Sequence, residues 1–217
     1  LSNIGATKAE SYPQSAHLNK AKSGVSTAWA CHSCEVAACF PPLMTSPANF
    51  HLPAVIWITG LPAAGKTTLA QRVQAALRTR SVPVVLLDGD DLRRTVNADL
   101  GYSADARREN VRRIGEIARV LLAQGFTVVV ACISPFREQR AALRRTFAAG
   151  QFIEVFMDTP IEVCQARDPK GLYRRAAAGG LKEMTGVDSL YEPPLQPELR
   201  FQPDEFDADV LLRRFGL

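Results

Sequence analysis

Residues 55–69, VIWITGLPAAGKTTL, constrain the fold of this chain more than any other stretch. Val55, Ile56, Trp57 and Ile58 read as a buried strand, and Leu69, Val73 and Leu77 recur on one face of a following helix. Between them lies Gly60-x-x-x-x-Gly65-Lys66-Thr67. A glycine turn running into a helix start aims free backbone N–H groups at an anion. The pattern predicts a phosphate-binding loop made by Gly60, Leu61, Pro62, Ala63, Ala64, Gly65, Lys66, Thr67 and Thr68. Lys66 is expected to reach the β- and γ-phosphates as a point charge, and Thr67 to place its hydroxyl on Mg²⁺. A plain strand-to-helix turn would explain the glycines; the four-position match with correct flanking structure argues for a nucleotide site.

The rest of the body alternates strand and helix. Further strands are predicted at 82–87, 126–133 and 152–157, each separated from the last by a helical segment. Strands joined through helices run parallel. The expected architecture is therefore a three-layer α/β nucleotide-binding fold, with a mostly parallel sheet and helices on both faces. The strand at 82–87 ends in Asp88-Gly89-Asp90-Asp91, on the same sheet edge as the phosphate loop. One carboxylate there can orient Mg²⁺ and another can accept a proton from an attacking hydroxyl; a polar turn in which Asp caps the next helix is the competing reading.

Ser103 is a plausible N-cap for a long helix with Val111, Ile114, Ala118, Leu121 and Leu122 as its buried face and Gly125 closing it. Arg107, Arg108 and Asn110 fall in its first turns, which suits an anionic ligand. The β-branched run 126–133 ends in Ser134-Pro135-Phe136-Arg137 and lacks the aspartate of an ordinary Walker B strand, leaving Asp88 or Asp90 to serve the metal. Arg137, Arg140, Arg144 and Arg145 read as a solvated helix face. The segment 167–182, with Arg167, Lys170, Arg174, Arg175 and Lys182 among small residues and glycines, reads as a mobile lid over phosphates, with an exposed helix as the alternative.

Composition narrows the chemistry. All three histidines (His17, His32 and His51) fall before residue 54, so His-based acid–base or nucleophilic catalysis is excluded from the body. Cys132 and Cys164 have no histidine partner there, which disfavours thiol hydrolysis. An odd count of five cysteines makes no disulfide framework and fits a reducing cytoplasm. The net charge of +4 comes from arginines spread through the body; no basic–aromatic interleaving supports nucleic-acid binding. No apolar run approaches the roughly 18 residues of a membrane span, and no Asn-Lys-x-Asp segment reads guanine. A small-molecule kinase is what remains.

Residues 1–53 form a leader of different character, with three Lys and no Arg. It is expected to be poorly ordered, as a disordered or non-native extension, as upstream sequence with Met44 the true start, or as a targeting peptide. Cys31, His32, Cys34 and Cys39 lack the second pair a zinc finger needs. The domain proper is expected at 54–217.

Several segments in order resemble the adenylylsulfate kinases, a family of P-loop kinases: Gly60-Leu61 with Gly65-Lys66-Thr67-Thr68, Leu87-Asp88-Gly89-Asp90, Leu100-Gly101-Tyr102-Ser103, Arg108-Glu109-Asn110, Ile133-Ser134-Pro135-Phe136, Asp168-Pro169-Lys170-Gly171-Leu172-Tyr173 and Thr185-Gly186-Val187-Asp188-Ser189. The likeness covers nearly all of 54–199 and leaves out the leader. It implies transfer of the γ-phosphoryl of MgATP to the 3′-hydroxyl of adenosine 5′-phosphosulfate. It further implies that Lys66, Thr67 and Arg167 serve ATP, that Thr67 and Asp88 serve the metal, and that Asp90 is the base. Arg93, Tyr102, Arg107, Asn110, Ile133, Ser134, Lys170 and Met184 would then serve the acceptor, and the resemblance suggests a homodimer and a functional association with ATP sulfurylase. Ser134 matches a serine proposed in the family as a phosphorylated intermediate; a hydroxyl without a basic partner is a poor nucleophile, which favours direct in-line transfer. Pro62-Ala63 stand where the family usually has Ser-Gly, Asp91 where it has asparagine, and Met184 where it has phenylalanine. A kinase with a different acceptor and a nucleotide-binding regulator are the alternatives.

Overall fold

The computed structural model describes residues 52–217 apart from 204 and 206. In chain order the elements are β1 (Val55–Gly60), α1 (Lys66–Thr79), β2 (Val84–Asp88), α2 (Gly89–Arg94), α3 (Ala104–Ala123), β3 (Thr127–Ala131), α4 (Arg137–Arg144), β4 (Phe152–Met157), α5 (Ile161–Arg167), α6 (Leu172–Ala177), β5 (Leu199–Phe201) and α7 (Ala208–Arg214). The expectations for residues 1–51 lie outside the described residues.

The five strands make one parallel sheet in the order β2-β3-β1-β4-β5. β1 lies at its centre with all six residues buried, Ile58 pairing with Ala131 on one side and Val155 on the other. From β1 the chain moves to β2 on one side, and after β3 it crosses to β4 on the other. The loops following β1, β2 and β3 therefore open together beside this reversal, where open α/β sheets bind ligands.

Strand alternation sorts the core into two layers. Ile56, Ile58, Val129, Ala131, Ile153 and Val155 pack with Leu69, Val73 and Leu77 of α1 and Leu211 and Leu212 of α7. Their neighbours Val55, Trp57, Val128, Val130 and Phe152 pack on the other face with Val111, Ile114 and Ala118 of α3. The central strands β1, β3 and β4 are thus buried on both faces, as a doubly covered parallel sheet requires. Leu52, expected in the leader, packs against the first of these layers.

Element ends have local causes. Pro83 has no N–H, so β2 begins at Val84, while the Pro83 carbonyl takes the Thr127 N–H at 2.8 Å. β3 is shorter than the apolar run 126–133: the Phe126 N–H returns to Leu121 at the end of α3, and Ser134 turns the chain with φ 40. Ser103 caps α3 as expected, its hydroxyl accepting from the Ala106 N–H at 3.2 Å.

Arg140 departs from the solvated face expected of α4. It is only 2% exposed; its Nε donates to Glu154 at 2.6 Å, and its other N–H groups reach the carbonyls of Ser134 at 2.6 Å and Glu192 at 2.7 Å. Arg144 is also drawn in, donating to Glu198. Glu154 sits in a fully buried strand, where a carboxylate must be paired, and the two arginines supply that pairing.

Candidate active site

The phosphate loop depends on two glycines. At Gly60 (φ 151) an added Cβ would lie 2.8 Å from the Met157 carbonyl oxygen, so only glycine lets β1 leave the sheet beside β4. Gly65 adopts φ 99 immediately before α1, which begins at Lys66. Between them Ala63 takes φ 62, a left-handed backbone at the position where the resembled family carries glycine. The Lys66 ammonium folds back over the loop and donates to the Leu61 carbonyl at 2.6 Å. Burial lowers its pKa from 10.5 to about 8, against the pull of the neighbouring Asp90 and Asp88 carboxylates.

Parallel pairing brings the end of β2 alongside this loop. The Thr67 hydroxyl donates to Asp88 Oδ2 at 2.7 Å, while Asp88 Oδ1 accepts the Asp90 N–H at 2.9 Å. Asp88 therefore caps α2 with one oxygen, as the polar-turn reading expects, and faces the phosphate loop with the other. Asp90, further out, pairs with Lys170 from the segment before α6. Asp91 turns instead to Arg94, both side chains being exposed.

These groups surround a cavity of about 580 Å³. Pro62, Ala63, Gly65, Lys66, Thr67 and Thr68 form its phosphate-loop wall; Arg93, Arg107 and Asn110 line it from α2 and α3; Ile133 and Ser134 close it from the loop after β3; and Arg167 to Lys170 cover it. Arg93 donates to the Gly101 carbonyl at 2.9 Å, and the Arg107 Nε to the Tyr102 carbonyl at 2.8 Å. Both guanidinium groups lie over the Tyr102 ring, at 4.8 and 5.7 Å from its centroid. Burial beside Arg93 pushes the Arg107 pKa down, and a site that crowds a buried guanidinium against a half-buried one favours an anion between them.

Three of the residues expected to bind the acceptor stand differently from the rest. Tyr102 is 53% exposed and Met184 is 4% exposed within the core; neither lines the cavity. Ser134 does line it, but its hydroxyl accepts from the Trp57 indole N–H at 3.0 Å and donates to Thr59 at 3.0 Å, and Thr59 in turn meets the Tyr191 hydroxyl at 3.1 Å. Gly60, Leu61 and Ala64 shape the loop without lining the cavity.

Two contributors had no strong signal in sequence. The Tyr173 hydroxyl donates to the Pro62 carbonyl at 3.1 Å, tying α6 to the phosphate loop. Asp168, 8% exposed, accepts the Tyr173 and Arg174 N–H groups at 3.2 and 3.1 Å and starts α6. Both lie in the Asp-Pro-Lys-Gly-Leu-Tyr segment, which singled them out as a motif but not by role.

A match to the sequence profile of the adenylylsulphate kinases spans residues 52–202. An adenylyl-sulfate kinase of Yersinia pestis is 47% identical over 161 residues, covering 74% of this chain and 76% of its own length. The bifunctional enzyme NodQ of Azospirillum brasilense is 49% identical over 162 residues; the match covers 75% of this chain and 26% of that protein. Among solved structures, the Mycobacterium tuberculosis APS kinase CysC, in complex with AMPPNP and APS, is 41% identical with a TM-score of 0.72, covering 76% of this chain and 98% of that one.

Proposed function

Since the chain belongs to the adenylylsulphate kinase family, we propose that its cavity binds ATP and adenosine 5′-phosphosulfate and that each lining residue acts on one of them. The protein is an adenylylsulfate kinase: it transfers the γ-phosphoryl of ATP to the 3′-hydroxyl of the phosphosulfate, giving 3′-phosphoadenylyl sulfate and ADP. The observation that carries the assignment of roles is the convergence of Thr67, Asp88, Asp90 and Lys170 on one mouth of the cavity.

The loop N–H groups and Lys66 hold the β- and γ-phosphates, and Arg167 lies on the ATP side. Thr67 and Asp88 offer a hydroxyl and a carboxylate 2.7 Å apart, hard oxygen donors of the kind Mg²⁺ takes alongside phosphate oxygens. Bound Mg²⁺ would neutralise charge on the β- and γ-phosphates.

Asp90 accepts the proton of the 3′-hydroxyl. Its pairing with Lys170 places an ammonium where negative charge is transferred. Arg93, Arg107 and Asn110 grip the phosphosulfate side of the acceptor. Direct in-line transfer is supported over a phosphoserine, because the Ser134 hydroxyl is engaged by Trp57 and Thr59. The Asp91–Arg94 pair and the burial of Met184 give two of the three departures from the family a structural place, which lends no support to a changed acceptor. A homodimer, association with ATP sulfurylase and a cytoplasmic setting complete the reading; among the described residues no helix is long and apolar enough to cross a membrane.

The test is ADP release by the purified chain with MgATP and either adenosine 5′-phosphosulfate, adenylate or gluconate as acceptor. Release with the phosphosulfate alone is expected. ATP binding with no release, or release with another acceptor only, would overturn the reading.

A further inference from the structure

Behind the α3 wall of the cavity lies a pair of buried amides. Asn97, fully buried in the connection between α2 and α3, donates from Nδ2 to Asn110 Oδ1 at 3.0 Å. Asn110, 3% exposed, lines the cavity and directs its own Nδ2 at the sulfur of Cys132, 3.8 Å away. A primary amide has an acceptor end and a donor end, and turning it over exchanges them. Because Asn97 occupies the acceptor end of Asn110, the donor end is the one presented on the side of Cys132 and the cavity. A thiol sulfur is a weak acceptor, so those N–H groups remain available to a charged oxygen.

The orientation of Asn97 also has a physical cause. Its Oδ1 is buried without a partner, a cost the protein carries. Turning the Asn97 amide over would set oxygen against oxygen at Asn110 and bury an unpaired NH₂ group instead. The backbone fixes the residue as well: the Asn97 N–H donates to the Leu92 carbonyl at 2.8 Å, and its carbonyl accepts from Leu100 at 3.1 Å.

We propose that Asn97 is a positioning residue which holds the Asn110 amide with its N–H groups toward the anionic end of the acceptor substrate. The inference rests on the reading of Asn110 as an acceptor ligand. Asn97 touches no substrate in this account and acts only through Asn110. Its effect belongs to KM for adenosine 5′-phosphosulfate, with little effect on KM for ATP.

A double-mutant cycle tests it. Asn97→Asp replaces the donor by an acceptor, so Asn110 must turn over and point its oxygen at the anion. KM for the phosphosulfate is expected to rise about tenfold, the effect of losing one hydrogen bond to a charged group, with KM for ATP within about twofold of the parent. In an Asn110→Ala background the same substitution should add less than about twofold, because the group it orients is gone. Asn97→Ala, read through the same cycle, serves where the aspartate does not fold; it should show a smaller rise that again disappears without Asn110. If Asn110→Ala raises KM but the two substitutions multiply, or if both KM values rise alike, Asn97 is merely structural and the inference fails. If Asn110→Ala leaves KM for the phosphosulfate unchanged, the reading of Asn110 itself fails, and the inference with it.

Discussion

Lys66 shows how one residue can serve its site at a cost to the fold. Its ammonium is buried, and its pKa falls from 10.5 to about 8, so the unfolded chain binds this proton more tightly than the native one. Between pH 8 and 10.5 the unfolded state holds more of the proton, and stability contributed by this group rises with pH; below about 8 the deficit is present in full. The same shift acts on function with the opposite sign. In the free enzyme the charge that receives phosphates is lost as pH rises through about 8, so kcat/KM for ATP should fall above that value. Bound phosphates favour the charged form, and kcat should hold to higher pH; coincident alkaline limbs in the two pH profiles would contradict this. Lys66→Met should abolish turnover without lowering the thermal midpoint at pH 7. The spacing of the phosphate loop made Lys66 legible in sequence, as the aspartates after an apolar run did for Asp88 and Asp90. The engagement of the Ser134 hydroxyl was not legible, because Trp57 and Thr59 meet it only through the pairing of β1 with β3.

At the scale of elements, periodicity placed four of the five strands and the long helices, missing the three-residue β5, and chemistry set their ends: a missing N–H at Pro83, a cap at Ser103, a turn at Ser134. It misjudged Arg140 and Arg144 of α4, since arginines in a short helix look solvated, as Arg137 and Arg145 are, until a buried glutamate on β4 is known to face two of them. Arg140 joins α4 to β4 through Glu154 and also holds the carbonyls of Ser134 and Glu192, so it links the sheet to the loop that closes the cavity. Arg140→Ala should cost about 3–5 kcal/mol in chemical denaturation, because it leaves Glu154 buried without its closest countercharge. The double substitution Arg140→Met with Glu154→Leu should recover most of that loss, an apolar pair of similar size being tolerated in such a place. Turnover should stay low in the double variant, since the Ser134 and Glu192 carbonyls still lack their donor. Full recovery of turnover with stability would show that Arg140 matters to the fold alone.

For the whole molecule, the parallel sheet and the two core layers turn a chain of short apolar runs into one edge where three loops meet. The family match ends at residue 202, yet α7 seats Leu211 and Leu212 fully buried against α1, so the last helix belongs to the same core. At the other end, Leu52 is the first residue described as packing on that core, and the family match also begins there. The change of composition in the sequence, from a stretch with three Lys and no Arg to an arginine-rich body, falls close to the start of that match. We expect residues 1–43 to be dispensable for catalysis and folding. Deleting them should leave turnover with adenosine 5′-phosphosulfate unchanged and the thermal midpoint within about 2 °C, a shift corresponding to less than roughly 1 kcal/mol for a chain of this size. A larger fall in midpoint, or a loss of turnover at an unchanged midpoint, would show that the leader packs on the kinase body or reaches its site.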